Sequence, residues 1–239
     1  IKECRSVKAG VFITSDKCYE NKEWEWGYRE NDPMGGYDPY SSSKACAELL
    51  IASYRSSFLL EKKINQNNAA IASARAGNVI GGGDWSQNRL VSDLIKAFSN
   101  NDEAVIRNPD ATRPWQHVLE PLSGYMILAE KLTSTNNKDF IGAYNFGPNQ
   151  NDTRSVRWVA DKIVKCWSDE ASWKLDKEFY PHEANYLKLD CSKAISRLNW
   201  SPKWSLDEAI SKVVDWHTDF NNKKDVKEVC LKQIKEYMS

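Results

Sequence analysis

Three neighbouring segments constrain this chain more than any other feature. AGVFITS, from Ala9 to Ser15, is a short apolar run rich in β-branched and aromatic residues, which reads as a strand buried on both faces. DPYSSSKACAELLIASYRSSFLLEKK, from Asp38 to Lys63, reads as a long helix. Asp38 can cap it, Pro39 suits its first turn, and Ala45, Leu49 and Ala52 supply an apolar stripe. AAIASARAGNVIGG, from Ala69 to Gly82, is a second strand ending in glycines. Parallel neighbours need a crossover, so strand, helix, strand predicts an α/β fold on a parallel sheet.

The pattern continues downstream. Helices are expected over RLVSDLIKAF, PLSGYMILAEKLTS, RSVRWVADKIVKCW and LDEAISKVVDWHTDF, the last with a capping-box start at Ser205. EAVIRN and GAYNFGP read as strands. Strand signals thin out beyond Asn149. We therefore expect residues 1–149 to form the sheet domain with interleaved segments of a smaller lobe, and 150–239 to belong mainly to that lobe.

Composition removes several function classes. Lys plus Arg and Asp plus Glu number 33 each, so no net field selects nucleic acid or anionic lipid. No apolar run reaches the ~18 residues of a membrane span, and the first residues carry no signal-peptide core. The six cysteines and three histidines show no paired spacing. That pattern predicts free thiols, a reducing cytoplasmic setting and no metal site.

Chemistry concentrates between Thr14 and Lys44. Ser15, Asp16 and Lys17 follow the first strand, at the carboxyl edge where open α/β sheets bind ligands. Tyr40 and Lys44 are four residues apart, which on a helix puts them on one face. An ammonium beside a phenol favours the phenolate, so Tyr40 is a candidate base. The bland alternatives are a solvated strand end and a polar helix face.

The stretches FITSDKCYENKEW, GGYDPYSSSKACAELL, ARAGNVIGGGDWSQNRLVSDLIKAF, IRNPDATRPWQHVLEPLSGYMILAEKL, GAYNFGP and HEANYLKLDCSKA resemble the extended short-chain dehydrogenase/reductase family of nucleotide-sugar enzymes. Within it they are most similar to the sugar-nucleotide 4,6-dehydratases, and Lys17, where relatives acting on dTDP-glucose carry glutamate, together with RPWQHVLEPL points to the CDP-glucose subgroup. The resemblance implies a Rossmann-like doubly wound parallel sheet with a smaller substrate-binding lobe, NAD as cofactor, CDP-glucose as substrate and a homodimer or homotetramer. It assigns Ser15, Asp16, Lys17, Tyr40 and Lys44 to catalysis, with Tyr40 and Lys44 also on the cofactor. Asn78 would contact substrate or cofactor, and Arg89 and Arg113 the nucleotide. The role of Lys17 stays open between base, acid and positioning group. His117 is expected in the core, and the segment from His182 and Glu183 near the nucleotide.

The family's opening strand, GxxGxxG turn and helix have no counterpart here, where Gly81-Gly82-Gly83 comes too late. The chain is therefore expected to be the C-terminal two thirds of such an enzyme. An epimerase or reductase of the same fold, or a non-catalytic NAD-sensing protein, remains the alternative.

Overall fold

The computed structural model describes residues 4, 6–59, 69–178 and 184–239; His182 and Glu183 lie outside them. In chain order the strands are β1 (Ala9–Ile13), β2 (Ala70–Ala76), β3 (Val79–Ile80), β4 (Ala104–Ile106), β5 (Thr112–Pro114), β6 (Gln116–His117), β7 (Gly142–Phe146), β8 (Thr153–Ser155) and β9 (Trp173–Leu175). The helices are α1 (Pro39–Phe58), α2 (Leu90–Ser99), α3 (Leu119–Thr133), α4 (Val156–Trp167), α5 (Ser192–Leu198), α6 (Leu206–Asn221) and α7 (Val226–Met238). Their described residues divide between two units, one drawn from 1–77, 120–147 and 188–201, the other from 78–119, 148–187 and 202–239.

The first unit is built on a parallel sheet in the order β1-β2-β7. Its register runs from Ala9 opposite Ala70 to Ile13 opposite Ala74, and from Ala72 opposite Gly142 to Ala76 opposite Phe146. The expected crossover is present: β1 leads through α1 into a parallel β2. The sequence of β2, AIASARA, is buried throughout, and its small side chains let α1 pack close. β1 departs from expectation. Among the described residues its strand partner is β2, and Phe12 and Ile13 are exposed rather than buried. α1 begins as predicted, with the Asp38 carboxylate accepting from the Ser41 N–H at 3.0 Å and Pro39 in the first turn. Its described residues end at Phe58, short of the expected Lys63, and residues 60–68 lie outside the description.

The second strand segment also ends early. β2 stops at Ala76, and Val79–Ile80 form β3, which pairs with β6 in the second unit. That unit has its own core. Leu94 and Ile95 of α2, Val159 and Ile163 of α4, and Ile210 and Val213 of α6 are buried together with Trp115. Each such aliphatic side chain contributes roughly 1.5–3 kcal/mol when fully buried. The capping box expected at Ser205 is formed: its hydroxyl accepts from the Glu208 N–H, and the Glu208 carboxylate accepts from the Ser205 N–H.

Candidate active site

The first unit brings two of the predicted groups together, and local sequence explains how. The extended β1 gives way at Ser15, whose hydroxyl accepts from the Lys17 N–H at 3.2 Å and so caps a 3-10 turn over Asp16–Cys18. The same hydroxyl donates to Asp16 Oδ1 at 3.1 Å. Asp16 is 3 % exposed, so its carboxyl is shielded from bulk water; Ser15 and Lys17 are half-buried. Below the turn the Cys18 thiol is fully buried, which pushes it up to about 12.

The chain then returns to the turn before entering α1. Tyr19 and Met34 form an antiparallel bridge, the Gly35 N–H donates to the Cys18 carbonyl at 3.0 Å, and the Glu20 N–H donates to the Pro33 carbonyl at 2.9 Å. Gly36 lies so close to the first turn of α1 that an added Cβ would come within 2.3 Å of the Ser41 Cβ. These links deliver α1 to the Asp16–Cys18 turn, and the two elements pack together. Tyr40 stands at the start of that helix, 57 % exposed, with the Lys44 ammonium 5.4 Å from its ring centroid. The four-residue spacing does put both on one face.

A buried polar network supports this arrangement, and the sequence reading missed it. Glu48 and Arg75, 2 % and 1 % exposed, form an ion pair with Nη2 to Oε2 at 2.8 Å. The carboxylate also accepts from the Thr14 hydroxyl on Oε1 and from the Ser73 hydroxyl on Oε2 at 2.7 Å. Arg75 Nη1 donates to the Tyr19 hydroxyl at 2.9 Å and to the Glu30 carbonyl at 3.0 Å. Tyr19 donates in turn to Asn145 Oδ1 at 2.6 Å, and Asn145 Nδ2 donates to the Tyr28 and Asp190 carbonyls. Burial works to raise Glu48, but the guanidinium and the two hydroxyls outweigh it and hold the carboxyl below its usual range. Burial works against the charge of Arg75, and the bond to Glu48 more than restores it. The available signals were a charge inside the small-residue strand AIASARA and a glutamate one turn beyond Lys44.

Asn78, Arg89 and Arg113 belong to the second unit. Asn78 is half-buried and its carbonyl accepts from the Gln116 N–H at 3.0 Å. Arg89 is exposed at the start of α2, 3.6 Å from Asp84. Arg113, on β5, is 3 % exposed; its guanidinium donates to the Thr112 carbonyl at 3.0 Å and to the Ala184 carbonyl. His117 is buried against the Trp204 ring, which pushes it down to about 4. Among the described residues no group of His, Cys, Asp and Glu could hold a metal ion, and no helix is long and apolar enough to cross a membrane.

The family model described as GDP-mannose 4,6 dehydratase matches residues 1–213. A CDP-glucose 4,6-dehydratase of Salmonella typhimurium is 52 % identical over all of this chain, which covers 66 % of that protein. A UDP-glucuronic acid decarboxylase of Arabidopsis thaliana is 27 % identical, with 86 % of this chain and 42 % of the relative covered. The structure of dTDP-glucose 4,6-dehydratase from Bacillus anthracis in complex with NAD superposes with a TM-score of 0.72 at 17 % identity, covering 92 % of this chain and 64 % of that one. UDP-glucuronic acid 4-epimerase from Bacillus cereus, in complex with UDP-glucuronic acid and NAD, gives 0.74 at 20 % identity over 91 % and 64 %. The chain thus spans about two thirds or less of the length of these proteins, and at such identities the two structures share its Rossmann-like α/β fold.

Proposed function

This chain belongs to the GDP-mannose 4,6 dehydratase family, and on that premise we propose that the full-length protein converts CDP-D-glucose to CDP-4-dehydro-6-deoxy-D-glucose and water. The single observation that carries the reading is the packing of the Asp16–Cys18 turn against the helix that bears Tyr40 and Lys44. It gives one unit both a phenol–ammonium pair for oxidation and an acid and amine for elimination.

Oxidation has to come first. A C5 proton of glucose is scarcely acidic, whereas beside a C4 ketone its loss to a base leaves a stabilised enolate. NAD, when bound, would supply the hydride acceptor for oxidation at C4 and the hydride donor for C6. The donor set suits the nicotinamide ribose: Lys44 offers up to three N–H groups beside the exposed Tyr40. No GxxGxxG turn for the pyrophosphate occurs within the sequence. Tyr40 removes the C4 hydroxyl proton, and Lys44 would hold the ribose. Ser15 steadies the C4 oxygen. Asp16 protonates the departing C6 hydroxyl. Lys17 is assigned to the C5 proton, as a base if it is neutral and otherwise as an acid or a positioning group. Asn78 is assigned to substrate or nicotinamide, Arg113 to the diphosphate, for which a guanidinium's planar fork is suited, and Arg89 to the nucleotide.

We place the enzyme in the cytoplasm, where its six free cysteines stay reduced. The assembly we favour is a homodimer, or a homotetramer built from it, joined through α1 and α3, which expose Leu49, Leu50, Leu122 and Met126. The test is incubation of the full-length protein with CDP-glucose and NAD. A 4-keto-6-deoxy sugar is the expected product, and recovery of a C4 epimer refutes dehydration.

A further inference from the structure

The buried Glu48–Arg75 pair touches neither Tyr40 nor Lys44, yet three elements of the site end on it. Glu48 lies on α1 one turn beyond Lys44 and two beyond Tyr40, so its carboxylate travels with those side chains. Thr14, whose hydroxyl donates to Oε1, directly precedes Ser15. Tyr19, whose hydroxyl accepts from Arg75, directly follows the Asp16–Cys18 turn. The turn is therefore held at both ends by one ion pair, and half of that pair belongs to the helix of the tyrosine and lysine. β2 completes the clamp, since Arg75 is on that strand and the Ala74 carbonyl accepts from the Thr14 N–H at 2.8 Å.

We infer that Glu48 and Arg75 are positioning residues that fix the Ser15-Asp16-Lys17 turn in register with the Tyr40-Lys44 helix. The pair transfers no proton to substrate. It sets where the elimination groups stand relative to the oxidising pair, and the inference rests on the dehydratase reading above. A purely structural ion pair would treat its two hydroxyl partners alike. A positioning pair would not, because Thr14 adjoins the turn while Ser73 lies within β2.

That difference is measurable. Glu48→Gln can simply fail to fold, so the full-length protein is compared as Thr14→Val, Thr14→Ser and Ser73→Ala. Thr14→Val is expected to lower kcat on CDP-glucose about 10- to 100-fold, the scale of an ångström misplacement, with KM little changed. Thr14→Ser restores the hydroxyl and with it the rate, and Ser73→Ala keeps at least half of kcat. Hydrogen exchange across residues 15–19 is read on the same samples. It speeds up in Thr14→Val and not in Ser73→Ala. Equal exchange in these two variants overturns the inference whether or not CDP-glucose is turned over; absence of turnover in the parent protein overturns the dehydratase reading instead.

Discussion

Neutralising one member of the buried pair should cost more than neutralising both. Glu48→Gln leaves the Arg75 guanidinium 1 % exposed and without a counter-charge. Arg75→Met leaves the Glu48 carboxylate with only the Thr14 and Ser73 hydroxyls. Breaking a buried ion pair by removing one partner costs about 3–5 kcal/mol, whereas removing both charges avoids the uncompensated ion. In Glu48→Gln/Arg75→Met the amide oxygen can still accept from one hydroxyl, so we expect the double variant to be no less stable than either single. The assay is urea unfolding of the full-length protein followed by circular dichroism. With a slope of about 3 kcal/mol per molar urea, each single variant should lose roughly 1–1.7 M in midpoint. The four proteins form a cycle whose coupling should reach about 3 kcal/mol or more. Additive losses, with the double variant falling by the sum of the singles, would show that the two groups do not support one another and refute the reasoning.

Three further expectations rest on other parts of the molecule. Lys17→Met should slow elimination while hydride transfer survives, seen as NADH absorbance building up on addition of CDP-glucose; loss of both steps together makes Lys17 a positioning group. His117 and His217 are buried and pushed from 6.5 down to about 4. Between those values the unfolded chain binds protons that the folded one does not, so stability is full above pH 6.5 and falls as pH drops towards 4. The loss is of the order of 3 kcal/mol per histidine, and an unfolding midpoint that does not move over this range speaks against it. Leu50→Glu, on the exposed side of α1, should shift the protein towards monomer in sedimentation, and an unchanged mass excludes α1 from the interface.

The sequence showed most where local chemistry and periodicity agree. Asp38 and Pro39 marked the start of α1, Ser205 and Glu208 that of α6, and the glycine-proline after Phe146 the end of β7. The shared face of Tyr40 and Lys44 was legible because helical spacing is fixed, and the place of Ser15-Asp16-Lys17 because the apolar run stops there; their roles rest on the resemblance. What stayed hidden depends on distant partners. β5, β6, β8 and β9 have two or three residues each, too few for an alternating pattern, and β5 contains a proline. α7 buries Gln233 and Tyr237 rather than a stripe of aliphatics, so its periodicity is weak. Glu48 looks like a solvated helix residue until Arg75 of β2 and Thr14 of β1's end are set beside it.

The chemistry assigned to the five residues around α1 has one isotopic consequence. Full-length protein is incubated with NAD and CDP-glucose carrying deuterium at C4, and the product is examined by NMR. We expect the label at C6 of a 4-keto-6-deoxy sugar, because the hydride taken at C4 returns to the carbon that lost its hydroxyl. Deuterium found back at C4, on a sugar that keeps its C6 hydroxyl, would mean that the Ser15-Asp16-Lys17 turn does not eliminate water.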